Sequence, residues 1–476
     1  MLLRNGIYNL IGGVLRVICL GITSPFLLNT MGLERYGTWS LVSSVIAILT
    51  FAEAGLSSAT TVFISQDINE EDNSSLSSTI TIVFSTIIVL SFIASGSLYW
   101  GSDTIISFFP SLGVQEKDVA LKALKIASLV IFGQLVQQLF VGLEQAFNDY
   151  KLINTVTTLQ WILFCSGWCV LGFLKYDSVA LISWQLTVTI LVLIIHLNST
   201  KKLLQEVTII FSWNSKRASE IVKYCSSTWI ATLGGLLFTK GDRLVIGSLL
   251  GTSSLAIYSA FSDFSGTINY FSAKPIQPLL PFISSYVPSS CSKKNLHDKL
   301  RVSLLVSSYI SVSMGILLLN SSKYLVSIVM PGDSGYQYHL GFQFLILITT
   351  VYSLNSVGYF VMLGLKKVKE FAAINIISGI LSLTLIYFGA ITFGFTGAII
   401  GNIGFFASLS FLFVSFNYLK VPLSIIFRSL LFPVLFMIFS FSLYHLIPSQ
   451  ELLPLASFME LLLFSGYFAW MYKYAK

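Results

Sequence analysis

Seven charged side chains interrupt long apolar runs: Arg16, Lys240, Arg243 and Lys274 among cations, and Glu53, Asp242 and Asp263 among carboxylates. An ionised group in mid-membrane costs about 2.5 to 3.5 kcal/mol on insertion scales, so each needs a partner or a task. Two kinds of chemistry fit these residue types. Arg and Lys in a medium of reduced dielectric bind anionic oxygens far better than in open water. A buried carboxylate near a movable cation has a proton affinity that changes with conformation, which is what ion coupling requires.

Spacing sharpens the reading. At 100° per residue, Asn5, Asn9, Gly12, Arg16 and Thr23 fall within an arc of about 60° on one helical face, a stripe that should look into a wet interior unless Arg16 snorkels to the boundary. In "TKGDR", Lys240 and Arg243 share a face, Gly241 loosens the helix and Asp242 points elsewhere; an interfacial cluster neutralised by Asp242 is the plainer alternative. Lys274 precedes Pro275, Pro278 and Pro281, whose missing donors should kink or unwind the helix. Glu53 shares a face with Thr50, Ser57 and Thr60 if its helix is continuous, and either couples an ion or forms a static pair. The expected anion-binding set is therefore Arg16, Lys240, Arg243, Lys274, Asn5 and Asn9, and the expected coupling set Glu53, Asp263 and Asp242. No metal site, catalytic group or cofactor is expected.

The elements that must position these residues are helices in lipid. Of 476 residues, 55% are hydrophobic and only 10% charged, a balance no water-facing surface of this size carries. Apolar stretches of about 20 residues recur along the whole chain, and they lack the ten-residue alternation of a barrel strand. Fourteen spans are expected, near 6–30, 38–66, 78–100, 120–146, 153–174, 179–198, 222–250, 254–283, 302–320, 341–364, 371–391, 396–417, 428–447 and 455–472. The first resembles a signal sequence but lacks a small-residue cleavage site, so it reads as an uncleaved helix. The five cysteines, Cys19, Cys165, Cys169, Cys225 and Cys291, are too scattered for a disulfide framework, and Cys165 with Cys169 reads as packing.

Basic residues set the orientation. Lys201, Lys202, Lys216, Arg217 and Lys223 follow the sixth span, Lys293, Lys294, Lys299 and Arg301 the eighth, and Lys366, Lys367 and Lys369 the tenth. Only Arg35, Lys117, Lys122, Lys125, Lys175 and Lys323 lie on the opposite side, so both termini are expected in the cytoplasm. The acidic stretch from Asp67 to Asp72 is the one loop that objects. The formal charge of +7 is dispersed through short loops, which argues against nucleic acid as a partner.

The chain also repeats itself. "LLNTMGLERYGTWSLV" matches "IGSLLGTSSLAIYSAF", pairing Gly32 with Gly251 and Tyr36 with Tyr258; "DTIISFFPSLG" matches "KYLVSIVMPGD", pairing Pro110 with Pro331; "GLEQAFNDYKLIN" matches "GLKKVKEFAAIN", pairing Gly142 with Gly364 and Asn154 with Asn375. The same offset sets Glu53 against Lys274. Six spans separate equivalent points, so the expected architecture is all-α: two six-helix bundles, 1–198 and 222–418, related by a pseudo-two-fold along the membrane normal around a central cavity, joined by a basic cytoplasmic linker, 199–221, and followed by helices 13 and 14 in 419–476.

"MGLERYGTWSLV", "FAEAGLSSATT", "GDRLVIGSLLGTSSLAIYSA" and "FGFTGAIIGNIG" resemble segments of the Wzx oligosaccharide flippases, in the multidrug/oligosaccharidyl-lipid/polysaccharide exporter superfamily. The resemblance implies translocation of undecaprenyl-pyrophosphate-linked O-antigen units across a bacterial inner membrane by alternating access. Its implied partners are that lipid-linked oligosaccharide, membrane lipid, and an O-antigen polymerase with its chain-length regulator. A pyrophosphate would suit the cations above, and Asn and hydroxyl side chains would suit sugars. Two rivals share the layout: a multidrug cation extruder, which would want a carboxylate-dominated cavity, and a peptidoglycan-precursor flippase. A membrane polymerase or ligase would need a larger extramembrane loop, and His196, His297, His339 and His445 show no acid/base or metal spacing.

Overall fold

The computed structural model describes residues 19, 21–53, 55–69, 73–110, 112–147, 149–205, 211–284, 293–330, 336–365, 367–446 and 453–473. Among these there is helix and no strand. After a helical stretch over 21–31 come α1 (Leu33–Thr50), α2 (Leu56–Asn69), α3 (Asn73–Ser107), α4 (Val114–Ala146), α5 (Tyr150–Phe173), α6 (Ser178–Leu203) and α7 (Ser215–Ala273). The chain continues through α8 (Leu279–Ser284), α9 (Lys293–Asn320), α10 (Ser322–Val329), α11 (Tyr336–Ser353), α12 (Ser356–Gly364), α13 (Val368–Gly401), α14 (Ser410–Tyr418), α15 (Ser424–Leu446) and α16 (Leu453–Lys473).

Ten stretches among the described residues are long and apolar enough to cross a membrane. One of them, Lys369–Tyr418, runs 50 residues and breaks at Gly394, where φ is 61° and ψ −139°; it accounts for two expected spans. The other three correspond to residues 21–31, to the pair α1 and α2, and to the first arm of α7. About fourteen membrane helices is thus the architecture of the chain.

Polarity is inverted relative to a water-soluble protein. Along α3, Ser77, Ser78, Thr79 and Thr81 are buried, whereas Phe84, Val89, Phe92 and Ile93 are exposed. Buried hydroxyls mostly return their proton to the preceding turn, as Thr81 Oγ1 does to the Ser77 carbonyl at 2.8 Å, so the helices pack through small polar residues and turn large apolar ones outward to lipid.

The chain divides into two compact units, Met1–Leu236 with Gly247–Ile257, and Leu237–Ile246 with Tyr258–Lys476. In the first, α4 is the hub, packed by α1, α2, α3 and α6. In the second, α9 packs against α11, α15 and α16, which fastens the two C-terminal helices to the bundle. Tyr309 on α9 contacts α16 by a hydroxyl pair with Ser465 at 2.9 Å and by ring stacking on Phe468 at 4.4 Å.

The repeat is visible in the backbone. The second expected span, 38–66, is not one helix: Phe51–Glu53 forms a single 3-10 turn, and Gly55, with φ 74°, starts α2. The matching span of the second half breaks at the matching place, where Lys274–Ile276 forms a 3-10 turn ahead of α8. Lys175 and Gly394, 219 positions apart, both take positive φ where one helix ends and the next begins. Gly142 and Gly364 each lie where a helix of their own unit presses close: a Cβ on Gly142 would stand 2.8 Å from the Ser57 carbonyl oxygen, and one on Gly364 would stand 2.8 Å from Ile283 Cβ. Pro331 lies outside the described residues, as does Cys291.

Candidate anion and ion-coupling site

Of the residues singled out from the sequence, Arg16, Asn5 and Asn9 lie outside the described residues. The rest fall in two places. Glu53 belongs to the first unit. Lys240, Asp242, Arg243, Asp263 and Lys274 belong to the second, and three of these are brought together.

The two arms of α7 meet across the break at Gly251. Arg243 Nη2 donates to Asp263 Oδ1 at 2.6 Å. The guanidinium side is nearly shielded, its side chain 10% exposed, whereas Asp263 retains 27%. The carboxylate is therefore the more exposed partner of the pair. Next to Arg243 in the chain, Asp242 Oδ1 accepts from the Arg243 backbone N–H at 2.8 Å, and Asp242 Oδ2 accepts from the Tyr258 hydroxyl at 2.6 Å.

Tyr258 adds a long-range link. Its oxygen stands 3.0 Å from Asn402 Oδ1, and Asn402 anchors itself by donating to the carbonyls of Ala398 at 3.2 Å and Ile399 at 3.0 Å. One phenolic hydrogen thus faces two acceptors. Asp242, Tyr258 and Asn402 come from "GDRLVIG", "LAIYSA" and "GNIG", three segments that the sequence set apart without any reason to join them. All three residues are buried.

Lys274 opens its 3-10 turn and lays its ammonium over the Tyr270 ring, 5.2 Å from the centroid. A cation resting on an aromatic face is partly compensated yet keeps its donors for an anion. Lys240 is half-buried on the first arm of α7. Glu53 ends its own 3-10 turn with Oε2 buried and without a hydrogen-bond partner among the described residues. The broken helix interrupts the face that a continuous one would have shared with Thr50, Ser57 and Thr60.

Two membrane carboxylates were not singled out by the sequence. Glu144 on α4 and His196 on α6 are both fully buried, with His196 Nδ1 2.9 Å from Oε1 and 3.0 Å from Oε2. Glu460 on α16 is 3% exposed and accepts from Asn320 Nδ2 at 3.0 Å and Ser440 Oγ at 2.8 Å. The signal for both was the one used elsewhere, an acidic residue inside an apolar span.

The acidic loop finds its explanation in the first unit. Asp67 pairs with Arg217 at the start of α7, and Thr79 bridges them, donating to Asp67 Oδ2 at 2.6 Å while accepting from Arg217 Nε at 3.0 Å. Asp67 therefore lies on the side of the basic segment that follows the sixth span.

A family model described as polysaccharide biosynthesis protein matches residues 2–287, well over half of the chain. Among solved structures the chain is similar to a lipid II flippase, MurJ, in an inward closed conformation, with TM-score 0.71, 16% identity and 98% of each chain covered. It is also similar to an inward-facing multidrug resistance MATE family transporter of the MOP superfamily, with TM-score 0.68, 12% identity, and 86% of this chain and 97% of that chain covered. A Vibrio cholerae MATE transporter, VcmN, gives TM-score 0.62 and 12% identity over 88% of this chain and 96% of that one. A search of curated protein sequences finds no match. At these identities the likeness is one of fold.

Proposed function

The chain belongs to the polysaccharide biosynthesis protein family, and from that premise we propose that it is a flippase moving undecaprenyl-pyrophosphate-linked O-antigen repeat units from the cytoplasmic to the periplasmic leaflet of a bacterial inner membrane. The observation that carries the reading is the Arg243–Asp263 pair inside a membrane-spanning segment, a shielded cation whose counter-charge is the more exposed partner. An entering pyrophosphate offers several anionic oxygens that compete with the carboxylate for the guanidinium, and the carboxylate it displaces needs a proton or another donor to offset its lost partner. A proton arriving on Asp263 has the same effect, so anion loading and proton uptake are linked at this pair. Lys274 supplies a second cation in the same unit, and Arg16, Lys240, Asn5 and Asn9 complete the proposed head-group set. Asp242, held by two neutral donors, and Glu53 are the remaining coupling candidates. The protein then works by alternating access, with the polyprenyl tail left in lipid. The Lys/Arg bias and the Asp67–Arg217 contact support cytoplasmic termini. An O-antigen polymerase and a chain-length regulator are the proposed partners.

Complementation of a flippase-null strain, with O-units read on a polysaccharide gel, tests the proposal. Wild-type chain should restore surface O-antigen; Arg243→Ala and Lys274→Ala should abolish it while the protein stays in the membrane. Normal O-antigen on both variants would remove the site. Rescue of a strain depleted of its peptidoglycan-precursor flippase, without restoration of O-antigen, would redirect the substrate, and resistance to cationic dyes would favour drug export.

A further inference from the structure

Arg217 stands in the first turn of α7, where a cation opposes the helix dipole, so its place is set by what it reaches and not by the helix it begins. It reaches α2 and α3. The guanidinium pairs with Asp67, donates from Nε to Thr79 Oγ1 at 3.0 Å and lies over the Phe63 ring, 4.7 Å from the centroid. The irregular segment 211–214 that leads into α7 has a weaker tie of its own, a long bond from the Ser212 N–H to Thr81 Oγ1 at 3.5 Å. Arg217 therefore fastens this strap and the start of α7 to the corner between α2 and α3.

The same side chain has a second position prepared for it. Arg217 Nη1 already stands 3.4 Å from Glu220 Oε2, one turn along α7, so the guanidinium is shared between a carboxylate on another helix and one on its own. Arg217 and Glu220 both line a polar cavity of about 370 Å³ together with Ser74 and Ser75 of α3 and Ser212 of the strap, which gives a displaced guanidinium room and acceptor oxygens beside Glu220. Asp67, 2% exposed, is left with the Thr79 hydroxyl, which donates to Oδ2 at 2.6 Å. Breaking an ion pair is costly where it strands a shielded charge; here each partner keeps a polar neighbour, and that lowers the cost of exchange.

We propose that Arg217 is a two-position latch on the start of α7. In the closed position, that of this structure, it holds Asp67 and Thr79; in the open one it lies with Glu220 in the polar cavity, and the strap with the first turns of α7 lifts from α2 and α3. α7 supplies residues up to Leu236 to the first compact unit and Leu237–Ile246 to the second, so the latch decides whether the first-turn end of a helix that serves both units is held or free. The inference concerns the chain's own equilibrium and stands independently of what is transported.

Hydrogen–deuterium exchange of the full-length protein in lipid nanodiscs, read by mass spectrometry on peptides covering 211–218, tests it, because local exchange follows the population of the open state. Asp67→Asn keeps the shape and an acceptor for Thr79 but removes the charge, and should raise exchange there at least about five-fold, since a shielded pair outweighs an exposed one. Glu220→Gln, at an exposed position, should do the opposite and lower exchange about two-fold, because it weakens the open position alone. The opposite signs separate a latch from a static ion pair: a Glu220 that merely supports the first turn of α7 would loosen the segment when replaced. Exchange that fails to rise in Asp67→Asn, or fails to fall in Glu220→Gln, would overturn the proposal. So would a rise in Asp67→Asn that spreads to α4, the hub of the unit, since that would be unfolding and not release of the strap.

Discussion

Gly32 and Gly251, 219 positions apart, hold one backbone conformation: φ 82° and ψ 168° in the first, φ 85° and ψ 171° in the second. That region is essentially restricted to glycine. Each residue separates two helices, so a side chain at either place works against this backbone conformation.

Gly32→Ala isolates this effect, because a Cβ at Gly32 would meet nothing within 4 Å. The expected loss is about 1 to 3 kcal/mol, entirely conformational. Thermal unfolding in detergent measures it, and an unchanged midpoint would show that the turn is not strained for other residues. Gly142→Ala should cost a comparable amount by a different route, since its Cβ would press the Ser57 carbonyl.

Tyr258→Phe keeps the ring and deletes the hydroxyl that donates to Asp242 Oδ2. A hydrogen bond to a charged group is worth about 1.5 to 3 kcal/mol, and the orphaned carboxylate oxygen stays buried. Reduced stability with O-antigen output also lost would mark the Asp242–Tyr258–Asn402 link as part of the working cycle. Reduced stability alone would assign it to structure.

Arg243 and Asp263 permit a cleaner separation of fold from function. Removing one partner takes this counter-charge from the one that remains, so Arg243→Met and Asp263→Leu should each destabilise, by up to about 3 to 5 kcal/mol for Asp263→Leu, which leaves the shielded Arg243 behind, and by less for Arg243→Met, which leaves the partly exposed Asp263. The double variant should regain most of that stability, since replacing both charges by apolar groups of similar volume is commonly near neutral. It should nonetheless remain transport-dead. A double variant that is both stable and active would mean that the pair has no part in carrying the substrate.

How much of this was legible in the sequence follows from the range of each interaction. Pro275 and Pro278 beside Lys274 announced a broken helix, and a 3-10 turn is what they produce. The equivalent break at Glu53 has no proline to announce it; only Gly55 marked the place. The pairing of Gly32 with Gly251 was readable because a glycine-only conformation leaves glycine behind. The Arg243–Asp263 pair was not, because the face a residue occupies on one helix leaves open how the next helix is rotated against it. Asn402 and Tyr258, 144 positions apart, lie further still beyond such reasoning. Glu144 and Glu460 were within reach, since a carboxylate in an apolar span always requires a partner.

Glu144 and His196 make that requirement testable. The two side chains are fully buried, both carboxylate oxygens face Nδ1, and Nε2 has no partner among the described residues. With the carboxylate charged, Nδ1 carries the hydrogen and donates it. Glu144→Gln preserves an acceptor oxygen of the same shape and should cost only about 1 kcal/mol, the difference between a charge-assisted and a neutral hydrogen bond. His196→Ala removes the donor and opens a cavity beside a buried charge, and should cost about 3 to 5 kcal/mol. Replacing both by Leu should recover most of that loss. Unfolding midpoints in detergent should therefore rank wild type and the Leu pair near the top, Glu144→Gln slightly below, and His196→Ala far lower. Were His196→Ala no less stable than Glu144→Gln, the carboxyl would not be relying on the imidazole, and the buried pair would be a contact without energetic consequence.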